Sequence, residues 1–122
     1  MSWKFDDGTP IYLQIAERIR EQIASGEISP GGKVPTVREI AELAGVNPNT
    51  VQRALAELEA SALVAAERGN GGRFVSDNPD LLAKLKHDMA RTATGDFLAK
   101  MRKLGFEKAK TVGYLNEYKE ES

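Results

Sequence analysis

The segment TVREIAELAGVNPNTVQRALAEL, Thr36 to Leu58, decides the fold. Thr36 followed three residues later by Glu39 is the capping-box pattern: the threonine hydroxyl takes one orphan amide of a helix N-terminus and the glutamate reaches back to another. The short helix so begun carries Val37, Ile40, Ala41 and Leu43, and it stops at Gly45, where a left-handed backbone costs little. Only Gly45-Val46 separates that stop from Asn47-Pro48, a side chain suited to capping and a proline suited to the first turn. Val51, Ala54, Leu55 and Leu58 then make the inner face of a second helix running to about Ser61. Two helices joined by a tight glycine-containing turn are a helix-turn-helix.

Upstream, Ile11, Ile15, Ile19 and Ile23 recur at steps of four, bordered by Leu13 and Ala16, and predict an amphipathic helix ended by Gly26. Thr9 is expected to cap it and Pro10 to occupy its first position. Pro30-Gly31-Gly32 and Pro35 mark a turn and an extended segment pinned to the core by Ile28 and Val34. Downstream, Leu63-Val64-Ala65-Ala66 and Arg73-Phe74-Val75-Ser76 flank Gly69-Asn70-Gly71-Gly72, which predicts a hairpin with an Asn-Gly turn. A hairpin placed there is a wing.

After Asn78-Pro79-Asp80, apolar residues at Leu81, Leu85, Met89, Ala93, Phe97 and Met101 predict a helix to about Leu104, with Gly95 as the candidate break. A last helix is expected from about Glu107 to Tyr118. The expected fold class is mainly α with a small β-hairpin: a winged helix-turn-helix domain over 9–77, followed by a two-helix C-terminal dimerisation region over 78–122. Leu81, Leu85, Met89, Phe97, Leu98, Met101, Leu104, Val112 and Leu115 are the expected dimerisation residues, because the stripe is more apolar than an isolated tail tolerates in water. The alternative is that both helices fold back on the winged helix of their own chain. Phe97, Met101 and Tyr114 are read as core residues, the alternative being that a small apolar or amphipathic molecule lodges beside them.

The 122 residues include 17 basic and 18 acidic side chains, a net charge of -1, so bulk charge gives no nucleic-acid footprint. DNA binding must be argued from local placement. The helix beginning at Asn47 presents Asn49, Thr50, Gln52 and Arg53 outward in its first two turns, the residue types that read base edges. Its N-terminal amides and partial positive charge are expected to suit a phosphate. Arg38, in the first turn of the preceding helix, reaches a phosphate or a guanine edge if it is not held by Glu39 or Glu42. Arg68, Asn70 and Arg73 bracket the wing, whose glycines let backbone approach a sugar-phosphate strand.

These motifs, in order, resemble the DNA-binding domain of the GntR family of bacterial transcription regulators. The resemblance rests on Thr9-Pro10-Ile11-Tyr12, Gly26-Glu27-Ile28 with Pro30-Gly31, Val34-Pro35-Thr36-Val37-Arg38-Glu39, Gly45-Val46-Asn47-Pro48-Asn49-Thr50-Val51 and the glycine-rich wing. The short tail and Asn-Pro-Asn-Thr-Val-Gln are most similar to the YtrA branch, whose C-terminal helical pair serves dimerisation. The resemblance implies operator contacts at Arg38, at Asn47, Asn49, Thr50 and Gln52, and at Gly69, Asn70 and Gly71. Pro48 and Gln52 stand where many relatives outside this branch carry arginine, and Ala62 stands where glycine is common.

The expected function is a transcriptional repressor that binds a palindromic double-stranded operator as a homodimer and is released by a small-molecule effector. No cofactor is expected. Cys 0 and a single histidine, His87, exclude thiolate zinc and multi-histidine metal sites. No nucleophile elbow, phosphate loop or motif-placed carboxylate pair marks an enzyme. The N-terminus lacks a signal-peptide pattern and no run is long enough to span a membrane, so a cytoplasmic protein is expected. The overall acidity leaves open a competing reading, a winged helix serving protein or RNA contacts with the helical tail as an assembly module.

Overall fold

A computed structural model describes residues 3–67 and 72–121. Five helices and one hairpin follow in the order α1 (Ile11–Ser25), α2 (Val37–Ala44), α3 (Pro48–Ala60), β1 (Val64–Ala66), β2 (Arg73–Val75), α4 (Pro79–Lys103) and α5 (Lys108–Glu117). The chain divides into two compact units, one up to Lys86 and one from His87, so the division falls inside α4.

The first unit is the winged helix. Its core joins Ile15, Ala16, Ile19 and Ile23 of α1, Ile40 and Ala41 of α2, Val51, Ala54, Leu55 and Leu58 of α3, and Leu63, Val64 and Val75 of the wing. Val34 of the extended segment completes it, 1% exposed. Ile11 is exposed instead. Steps of four drift by about 40° each on a helix of 3.6 residues per turn, so Ile11 has left the face that Ile19 and Ile23 share. In α2 the inner place falls to Ala44, and Leu43 is 52% exposed.

Two helix starts differ in kind. Thr36 caps α2 as expected, with the full capping box. At α1 the N-cap is Pro10, with no side-chain cap, rather than Thr9. Gln14 does the work there: its Nε2 donates to the Thr9 carbonyl at 2.7 Å and the Asp6 carbonyl at 2.9 Å, and its Oε1 accepts from the Asp6 amide at 3.1 Å. The stretch before α1 is thereby tied down, and Trp3 and Phe5 pack against the core.

The wing strands are antiparallel, with Val64 opposite Val75 and Ala66 opposite Arg73. The Glu67 amide donates to the Gly72 carbonyl at 3.0 Å. A third segment joins them: Val34 N–H donates to Arg73 O at 2.9 Å and Val75 N–H donates to Gly32 O at 2.9 Å, so the extended run before α2 edges the hairpin.

Asn78 caps α4, its Oδ1 accepting from the amides of Asp80 and Leu81. The helix runs 25 residues, about 37 Å at 1.5 Å per residue, without a break at Gly95. Leu81, Leu82 and Leu85 pack on the winged-helix core. In the second unit Gly105, with φ 93°, ends α4, and the Phe106 amide donates back to Met101 O at 2.9 Å. Phe106 and Tyr114 meet edge to face at 5.9 Å between ring centres. Thr111 of α5 is buried, its hydroxyl donating to Glu107 O at 3.1 Å. Phe97 and Tyr114 are exposed, so the reading of these two as core residues does not hold for the single chain.

Candidate nucleic-acid interface

α2 and α3 are set by their caps and by the Gly45 turn, where φ is 72° and the Val46 amide donates to Ala41 O at 3.1 Å. That geometry turns Val51, Ala54, Leu55 and Leu58 inward. Asn49, Gln52 and Arg53 are therefore exposed and Thr50 is half-buried. A groove of about 250 Å³ runs between the start of α2, α3 and the wing, lined by residues that include Thr36, Arg38, Gln52, Gly72 and Arg73. The expected site residues Arg38 and Gln52 thus share one depression.

Arg38 is almost fully solvated and its Nε lies 3.7 Å from Glu42 Oε1, one helical turn on. Such an exposed pair is weak and easily exchanged for a phosphate or a base edge. Glu39 is not its partner. Its carboxylate accepts from the Thr36 amide at 2.9 Å, and that hydrogen bond, with the one involving the Thr36 side chain and the charge of Lys33, holds its pKa below the usual carboxylate range.

The N-terminus of α3 does not present the free amides expected of it. Pro48 has no N–H, the Asn49 amide donates to Asn47 Oδ1 at 2.8 Å, and the Thr50 amide donates to Asn47 O at 3.0 Å. What remains for an anion is the helix dipole and the amide group of Asn47.

Arg53 lies over the ring of Tyr12, its guanidinium carbon 4.0 Å from the ring centre. Tyr12, on α1, was not among the expected site residues. Its sequence signal was its place in the Thr9-Pro10-Ile11-Tyr12 motif. Together with Ile11, Asn49 and Thr50, this pair lines a second shallow depression beside α3.

Arg73 departs from expectation. It does not bracket the outer wing but reaches back to α3, Nη2 donating to Gln52 Oε1 at 3.2 Å and Nε standing 3.5 Å from Glu59 Oε1. The expected contacts at Arg68, Gly69, Asn70 and Gly71, and the Asn-Gly turn, lie outside the described residues. Of the expected dimerisation residues, Leu81 and Leu85 are half-buried on their own chain's core. Met89, Leu98 and Met101 are half-buried, and Phe97, Leu104, Val112 and Leu115 are exposed. Among the described residues no cluster of three or more histidine and carboxylate side chains is placed to hold a metal, and no helix is long and apolar enough to cross a membrane.

Residues 11–74 match the model of the bacterial regulatory proteins of the gntR family. The chain is 35% identical over 120 residues to YhcF, an uncharacterized HTH-type transcriptional regulator of Bacillus subtilis, covering 98% of each. It is 43% identical over 70 residues to the HTH-type transcriptional repressor YtrA of the same organism, 57% of this chain and 53% of that one. Among solved structures, a GntR family transcriptional regulator from Listeria monocytogenes superposes with a TM-score of 0.84 at 36% identity, covering 94% of this chain and all of that one. The DNA-binding domain of AraR in complex with operator ORX1 superposes with a TM-score of 0.54 at 31% identity over 62% of this chain and 92% of that one. The family model spans more than half of the chain and YhcF matches it nearly end to end, and the chain belongs to the GntR family of DNA-binding transcription regulators.

Proposed function

We propose that this chain is a repressor that binds a palindromic operator as a homodimer, inserting α3 into the major groove of each half-site. The observation that carries the reading is the joint exposure of Arg38 and Gln52 in one groove that continues to β2, with Asn49 and Arg53 exposed on the same helix. Arg38, Asn47, Asn49, Thr50, Gln52 and Arg53 supply the contacts, and Arg68, Gly69, Asn70 and Gly71 add contacts to the DNA backbone. That the AraR domain has been captured on an operator, and that YtrA is named a repressor, supports the same assignment.

One winged helix covers few base pairs, and two copies add their contacts. The second unit offers the surface: Leu104, Val112 and Leu115 are each about half exposed or more, a degree of apolar exposure suited to burial in an interface. Two-fold pairing dictates a two-fold operator. A small-molecule effector that releases the DNA acts by a rigid-body change at that joint. A protein working on bacterial promoters acts in the cytoplasm.

Fluorescence anisotropy with promoter DNA at two salt concentrations tests the reading. Tight binding that weakens steeply with salt is expected, since each neutralised phosphate contributes a slope of about 0.9. Absence of both tight binding and a salt slope would favour a module for protein contacts.

A further inference from the structure

The Arg73–Gln52 contact fixes more than the position of the wing. A guanidinium carries only donors, so the group of Gln52 that meets Arg73 Nη2 at 3.2 Å must be its carbonyl oxygen. Arg73 is itself held: its side chain is 21% exposed, its aliphatic stem leaves β2, and its Nε stands by Glu59, two helical turns along α3 from Gln52. That Nε is buried and makes no hydrogen bond among the described residues, so the Glu59 pairing is one of charge rather than a directed bond. Gln52 meanwhile stays exposed at the groove. Its oxygen faces the protein and its NH2 is left for whatever enters.

A free glutamine pairs with adenine in two parts, accepting from N6 and donating to N7, whereas guanine presents two acceptors, N7 and O6. We propose that Arg73 converts Gln52 into a donor-only reader, so that the base it faces in each half-site is guanine rather than adenine. This rests on the DNA-binding reading above and adds to it a base identity and a positioning residue, Arg73, that acts through another side chain.

Selection of bound sites from random DNA with the full-length chain tests it. The wild type should recover a symmetric site in which guanine is preferred over adenine by roughly 5- to 150-fold at one position per half-site, and Gln52→Ala should flatten that position alone. Gln52→Glu keeps a partner for Arg73 and so keeps the fold, but it offers an acceptor outward. It should move the preference at that position to cytosine, whose N4 is a donor. Arg73→Lys, which retains a charge for Glu59 but lacks the fork, should let adenine rise at the same position. Adenine at the Gln52-dependent position in the wild type, no position that responds to Gln52→Ala, or an unchanged preference in Arg73→Lys would overturn the proposal while leaving operator binding intact. Recovery of no site by any of the four proteins would bring down the operator reading itself, and this one with it.

Discussion

Thr36 and Glu39 bond each other reciprocally: the Glu39 amide donates to the Thr36 hydroxyl at 3.1 Å, and the Thr36 amide donates to the Glu39 carboxylate at 2.9 Å. The pair starts α2 and so sets where Arg38 leaves the surface. Because the Thr36 bonds hold the Glu39 pKa below its unfolded value, its ionised form stabilises the fold above the unfolded pKa, and that contribution is lost as pH falls through the folded pKa. Thermal melts of wild type and Glu39→Gln between neutral and acid pH should show a gap that is widest at neutral pH and closes in acid; a gap independent of pH would contradict the assignment. Thr36→Ala should cost about 0.5–2 kcal/mol at neutral pH.

Ala62 follows α3 with φ 63°, the one non-glycine residue with positive φ in the described chain. The Leu63 amide donates to Leu58 O and the Ala62 amide to Glu59 O, both at 3.0 Å, the paired bonds of a Schellman motif. The motif wants glycine where alanine stands. Ala62→Gly should therefore raise stability by about 0.5–1 kcal/mol, the relief of left-handed strain outweighing the extra freedom of the unfolded chain. Urea unfolding measures it, and a loss of stability would show that the strain is absent.

The helix-turn-helix was legible because its signals are local: a capping box, a glycine stop and an Asn-Pro start each act within four residues. The stripe in α4 was legible as apolar but not as to its use. Steps of four carry Leu81 and Met101 to sides of the helix about 200° apart, so one sequence pattern serves the winged-helix core at Leu81 and Leu85 and another surface farther on. Arg73 was misplaced for a different reason. Its partners Gln52 and Glu59 lie 21 and 14 residues away, and no periodicity links a strand to the helix behind it. The exposure of Ile11 follows from the same angular drift, whereas the Gln14 bonds that replace a Thr9 cap depend on the path of the chain before α1, which no local motif encodes.

The exposed Arg38–Glu42 pair is weak, so giving it up for a DNA contact would cost Arg38 little. Arg38→Ala should weaken operator binding by about 1–3 kcal/mol if the arginine grips a guanine edge, with discrimination lost at one position. The salt slope distinguishes a phosphate contact, which would lower it by about 1 while leaving sequence preference alone. Unchanged affinity would remove Arg38 from the interface.

Tyr12 holds Arg53 by its ring face, so the hydroxyl is dispensable and the face is not. Tyr12→Phe should bind operator as the wild type does. Tyr12→Leu frees the guanidinium and should cost roughly two- to fivefold in affinity, about the value of one exposed cation–π contact. Equal losses in both variants would mean that the hydroxyl, not the ring, matters.

The dimer reading makes the second unit separable from the first. Leu104 and Leu115 are exposed on the single chain, at 67% and 52%, so a charge there disturbs little of the chain's own packing. Leu115→Glu and Leu104→Glu should fold, since the winged-helix core from α1 to the hairpin contains neither residue. Sedimentation equilibrium should find the wild type dimeric and both variants monomeric, because a carboxylate placed in an apolar interface is stripped of water without a partner. Operator affinity should fall with dimerisation, while binding to a single half-site stays near the wild-type monomer's. A variant that remains dimeric with both charges in place would move the interface elsewhere. One that loses half-site binding as well would show that the second unit supports the winged helix within one chain rather than joining two.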